Sequence, residues 1–147
     1  MVMEIILNSH HQKVAYISYR IAQELQLPSH EIKDIVLAAL LHDMGYKLLK
    51  DYAPLAKAAK LIKYHHTDYE NSRGDIPLGS CIIHLADRLC VLFDEQHEIK
   101  AQVPQVLERI AQKNHKFHPV TLYALGKLIK LEYFWGEVFS QGNKYNS

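Results

Sequence analysis

An all-α bundle of about six helices is the fold class that this sequence predicts, and three observations predict it. Apolar residues recur three and four apart along most of the chain, which is the helical period. No stretch alternates apolar and polar residues as a half-buried strand would. Pro, Ser and Gly stand where such helices would begin and end. At 147 residues, 48% hydrophobic and 22% charged, the chain suits one soluble globular domain spanning 1–147, with no repeat and no low-complexity linker.

The elements follow in order. Asn8 or Ser9 caps a first helix whose apolar stripe is Val14, Ile17, Ile21 and Leu25, stopped by "LPS" at 27–29. Ser29 caps a second, with Ile32, Ile35, Val36, Ala39 and Leu40 inward, and Gly45 is placed to end it. Pro54 suits the first turn of a third, which turns Leu55, Ala58, Ala59 and Ile62 to the core. "ENSRGD" at 70–75 is a loop by composition. Pro77 opens a fourth helix through Ile83 and Val91 to about Asp94. Two more span 98–113 and 119–139, the last opened by Pro119. Its aromatic cluster, Tyr133, Phe134, Trp135 and Phe139, either closes the core or makes a homodimer face. Core packing is the expectation, because apolar helical stripes usually pack within the chain.

Charge and composition exclude several functions. A net charge of +1 gives no basic surface for duplex nucleic acid. The longest apolar run, residues 35–41, is seven residues, too short to span a bilayer. "MVMEIILNSH" lacks the basic start and long apolar stretch of a signal peptide. Cys81 and Cys90, the two cysteines, lie in apolar segments and read as free buried thiols of a cytoplasmic protein.

Ten histidines are unusual, and their positions matter more than their number. In "ALLHDMGY" an apolar helix runs straight into His42 and Asp43. Burying a polar group without a partner costs roughly 2–7 kcal/mol, and a charge costs more. The same oddity recurs. His10 lies four before Val14, His65 and His66 lie three and four after Ile62, and Asp87 lies between Ile83 and Val91. Residues so spaced share a helix face. His10, His42, Asp43, His65, His66 and Asp87 therefore sit where four segments turn inward, as the ligands of a metal site between packed helices would. A divalent ion offsets their desolvation by coordination. The imidazole–carboxylate set, with no cysteine placed as a ligand, favours Mn, Fe, Ni or Co over zinc. His11 takes the place of His10 if the helix phase shifts by one residue. His84 is either an outer group supporting the ligands or an ordinary packed histidine, the latter preferred; His30, His97, His115 and His118 receive no role.

"HHQKV" at 10–14, "LLHDMG" at 40–45, "IKYHHT" at 62–67 and "IPLGSCIIHLADR" at 76–88 resemble the HD superfamily of metal-dependent phosphohydrolases. Among its branches they are most similar to the HD-GYP cyclic-dinucleotide phosphodiesterases. "KFHPVTLYALGKL" at 116–128 is similar to the segment that closes those domains, so the likeness spans about residues 8–140. The resemblance implies that His10, His42, Asp43 and Asp87 hold one metal. It implies that Asp43 bridges to a second ion, which His65 and His66 also bind.

The departures are specific. No Gly-Tyr-Pro follows the His-His pair, and Thr67 stands where that branch carries Glu. Tyr46 replaces its Lys, with Lys47 one place later, so Lys47 is the first choice among Lys47, Lys63, Arg73 and Arg88 for a catalytic cation. No imidazole lies between His42 and His65, and Ile6 replaces the Glu of three-metal members, so a third metal is not expected. The expectation is hydrolysis of a phosphodiester or nucleotide phosphate by metal-activated water, with Asp43 and Lys47 catalytic. A cyclic dinucleotide is one candidate substrate. The alternatives are a ligand-binding module of this fold whose metal is structural, and an oxygenase-like di-iron protein of the same superfamily.

Overall fold

The computed structural model describes residues 9–72 and 74–141, and within them the chain forms eight α-helices joined by short 3-10 turns, with no strand. Ile6, Asn8 and Arg73 lie outside the described residues. The first helix, α1 (Ser9–Glu24), buries Val14, Ile17 and Ile21 along the expected stripe. It ends in a Schellman motif: Gln26 N–H donates to the Gln23 carbonyl and Leu27 N–H to the Ala22 carbonyl. That motif needs a left-handed residue, and Gln26 supplies it at φ 57°.

Helix α2 (Ser29–Leu41) begins one residue earlier than its expected cap implies, with Pro28 flanking it and Ser29 already helical. Its last turn tightens into a 3-10 segment, His42–Met44, and Gly45 at φ 82° then reverses the chain. The expected third helix is two elements. Tyr46–Leu49 forms the short α3, Pro54 lies in the 3-10 turn Ala53–Leu55, and α4 runs from Ala56 to Lys63. Helix α5 (Leu78–Val91) follows Pro77 and is buried on almost every side from Gly79 to Ala86. Gly79 explains how close it comes: a Cβ there would meet Ile35 of α2 and Leu61 of α4 at 3.0 Å.

Helix α6 (Ile99–Gln112) tolerates Pro104 because that turn is exposed, where water satisfies the carbonyl that loses its donor. The expected helix over 119–139 breaks into α7 (Pro119–Leu128) and α8 (Phe134–Phe139). The reason is packing. A straight helix of that length would extend about 30 Å, whereas the break returns Phe134, Trp135 and Val138 to the core. The aromatic cluster thus divides: Phe134 and Trp135 are buried, and Tyr133 is exposed.

Helix α1 packs against α2, α5, α7 and α8, and with α5 it forms the axis of the bundle. Ile17, Ile21, Ile82, Ile83, Leu85, Leu89 and Phe134 are almost wholly buried. Full burial of such a side chain contributes about 1.5–3 kcal/mol. Cys81 and Cys90 are free and buried, both on α5. No helix among the described residues is long and apolar enough to cross a membrane.

Candidate metal centre

Four places in the bundle deliver the titratable cluster: the first turn of α1, the 3-10 turn after α2, the turn after α4 and the middle of α5. His42 and His65 are held by the same local device. Each sits just past a helix end and donates Nδ1–H to the carbonyl three residues earlier, Ala39 at 2.6 Å and Ile62 at 2.5 Å. The single proton of a neutral imidazole is then spent outward, and Nε2 presents its lone pair inward. An outer hydrogen bond of this kind fixes the tautomer of a metal-binding histidine.

The carboxylates meet those lone pairs. His42 Nε2 lies 3.5 Å from Asp87 Oδ1 and 3.4 Å from Asp43 Oδ1. His10 Nε2 lies 2.9 Å from the same Asp87 oxygen, and His11 Nε2 donates to Asp43 Oδ2 at 2.8 Å. The ring of His65 is 5.4 Å from that of His42, and His66 stacks on His65 at 3.8 Å. Two triads have ligand atoms close enough to share an ion: His10, His42 and Asp87, and His11, His42 and Asp43.

The proton affinities follow from these surroundings. Burial raises the Asp87 carboxyl, but hydrogen bonds from His10 and His42 outweigh it and hold the group below the usual carboxylate range. Burial lowers His42, yet Asp87, the Ala39 carbonyl and Asp43 together raise it above an ordinary histidine. His65, without a carboxylate against it, is pushed down to about 4 by burial. It is therefore neutral at pH 7, as a ligand must be.

The donor set fits a divalent cation. A lone pair aimed at two carboxylate oxygens repels them unless a proton or a metal lies between, and the raised proton affinity of His42 expresses that demand. His65 Nε2 is buried and has no partner among the described residues. An inward lone pair left unsatisfied in a dry site costs about 1–3 kcal/mol, which coordination would offset.

Set against the sequence, the structure gathers His10, His42, Asp43 and Asp87, with His65 beside them. His66 stacks on His65 but is exposed, facing a neighbouring cleft. The new member is His11, which sequence reasoning held only as a substitute for His10. Adjacent residues on a helix diverge by about 100°, so the pair straddles the site, His10 toward α5 and His11 toward the turn after α2. Lys47 is exposed on α3, and among the described residues it makes no hydrogen bond or ion pair with the cluster. Lys63 lies over the Tyr46 and Tyr64 rings instead. His84 is the packed histidine expected, buried against Phe117 with Nε2 3.1 Å from Asp68 Oδ1.

The comparisons agree with this geometry. A family model described as HD domain matches residues 8–92, a span that contains every member of the cluster. No curated protein and no solved structure matches the chain.

Proposed function

The chain belongs to the HD-domain superfamily of metal-dependent phosphohydrolases, and from that premise we propose that it hydrolyses a phosphodiester or a nucleotide phosphate. The observation that supports this most is the pair of inward Nε2 lone pairs on His42 and His65, with the carboxylates of Asp43 and Asp87 against that of His42. In this reading His10, His42, Asp43 and Asp87 hold one ion. Asp43, with His11 and His42 against it, serves a second ion, toward which His65 and His66 are the further proposed ligands. The ions are Mn, Fe, Ni or Co rather than zinc, as the mixed nitrogen and oxygen donors favour.

When bound, such an ion supplies Lewis acidity at a phosphoryl oxygen and brings the pKa of a water toward neutrality. The chain supplies the rest. The Ala39 and Ile62 carbonyls keep the ring protons outward. Asp87 orients His10 and His42, and its low proton affinity keeps it charged throughout the physiological range. Asp43 is the open side of the cluster, with 58% of its side chain exposed against 14% for Asp87. It can therefore both bind and accept a hydrogen bond from the attacking water, within reach of substrate. Lys47 is the proposed cation for charge that develops on the phosphoryl oxygens. A phosphorylated small molecule or nucleotide, in the cytoplasm, is the partner; the free thiols of Cys81 and Cys90 support that compartment.

Purified without chelator, the protein is expected to carry about one or two equivalents of transition metal and to cleave bis(p-nitrophenyl) phosphate when Mn is added. Asp43→Ala should lose most of both. Elemental analysis that finds no metal, together with no cleavage, would end the proposal. Cleavage that persists under strict anaerobiosis would separate hydrolysis from oxygen chemistry.

A further inference from the structure

Beside the cluster lies a cleft of about 560 Å³, within the ordinary size of a small-molecule site. Its walls are α5, the last turn of α6 and the segments at 66–68 and 116–117. Arg88, Arg109, Lys113 and Lys116 all line it, with Asp68 as the one carboxylate among the described residues. That is a marked concentration in a chain whose net charge is only +1. Asp68 is already engaged, 3.1 Å from His84 Nε2 and 4.0 Å from Lys116 Nζ. No carboxylate of the described residues pairs with Arg88, Arg109 or Lys113.

Helix dipoles explain part of this and not the whole. Arg109 and Lys113 sit at the C-terminal end of α6, where a cation gains about 0.3–1 kcal/mol. That gain does not require Arg88 of α5 and Lys116 of the next turn to converge on the same space. Like charges gathered around a concave, low-dielectric surface repel, and their potential is focused into the opening. The floor is apolar, made by Leu92, Ile110 and Phe117. His66 joins the two places, since it lines this cleft and stacks on His65 of the cluster.

We propose that this cleft binds a second phosphate group of the substrate, so that the substrate class is a molecule with at least two phosphates, one cleaved at the cluster and another held by Arg88, Arg109 and Lys113. The word substrate here rests on the hydrolase reading; the anion site itself rests on the cleft alone. Arginine recognises phosphate oxygens through its forked donors, and lysine adds a point charge. Arg109 in the last turn of α6 and Lys113 just past its end present both to the same cleft.

The test titrates inorganic tripolyphosphate into metal-free protein by calorimetry, at low salt and again at higher salt. Without metal, the cluster cannot supply the binding. Arg109→Ala with Lys113→Ala should weaken binding by about tenfold or more, and added salt should weaken it in the wild type. Arg109→Lys with Lys113→Arg should retain most of the affinity. The control is Lys57→Ala with Lys60→Ala. Those lysines share a separate cleft with Glu31 and Asp34, and their removal should change binding by less than about twofold. Equal affinity in wild type and the Arg109/Lys113 alanine variant would overturn the proposal. So would an equal loss in both alanine pairs, which would mean unspecific attraction. Both targeted residues are exposed, so the variants are expected to fold. Cleavage of bis(p-nitrophenyl) phosphate by the wild type is read separately. Its failure would remove the hydrolase reading while the tripolyphosphate result still decides the cleft.

Discussion

His65 keeps its proton on the outward nitrogen, bound to the Ile62 carbonyl, and is pushed down to about 4. In the unfolded chain an ordinary histidine titrates near about 6.5. Between those values the unfolded state holds the extra proton, so stability rises with pH and is lost as pH falls from 6.5 toward 4. The loss attributable to His65 is on the order of 2–3 kcal/mol by pH 4. His42, whose affinity is raised, works in the opposite sense, so the effect must be isolated as a difference. In metal-free protein, urea midpoints at pH 7 and pH 4.5 should separate more for the wild type than for His65→Gln; parallel shifts would count against this placement. At this scale much was legible. A polar group at the end of an apolar stripe needs a reason, and that argument reached His10, His42, Asp43, His65, His66 and Asp87. It took His10 and kept His11 only as a replacement, because which of two neighbours faces a partner depends on helix phase and on what lies across from each. Both reach a carboxylate of the cluster, His10 that of Asp87 and His11 that of Asp43.

Helix ends show where local chemistry and packing compete. Gln26 occupies a left-handed position that glycine would fill without Cβ strain, at a cost of roughly 1–2 kcal/mol for a residue with a side chain. Gln26→Gly should therefore stabilise the protein by about 1 kcal/mol, raising its melting temperature by about 2–4 °C at this chain length. A lower melting temperature would show that the glutamine side chain contributes more than it strains. The apolar period was enough to place α1, α2, α5 and α6 within a few residues. It failed where one stripe continued through a bend: residues 119–139 read as one helix because the stripe looks unbroken. The turn at 129–133 is set by the need to bring Phe134 and Val138 back against α1. The cleft between α5 and α6 was likewise not legible. Arg88 was legible only as one candidate cation for the cluster, and Arg109, Lys113 and Lys116 are ordinary charged residues until the bundle places all four around one space.

Across the whole molecule, the cluster ties segments that begin at residue 10 and end at residue 87, joining both ends of the HD-domain match. An ion bound there favours only the folded chain, since the unfolded one does not hold those groups together. At a metal concentration one hundred times the dissociation constant, the stabilisation is about 2.7 kcal/mol, or roughly 5–10 °C in melting temperature for a chain of this size. Mn should raise the melting temperature of the wild type by that amount, a chelator should reverse it, and Asp87→Asn should show neither response. An unchanged melting temperature with metal present would mean that the donor atoms do not act together. The two sulfurs of α5 extend the same connection. Burial pushes the Cys81 thiol to about 11 and the Cys90 thiol to about 12, so neither reactive thiolate nor open access exists while that helix stays seated. An alkylating reagent would find them only after α5 has lifted from its neighbours, carrying Asp87 away from His10 and His42. The time to first labelling would thus clock the breathing of the helix on which the whole cluster depends.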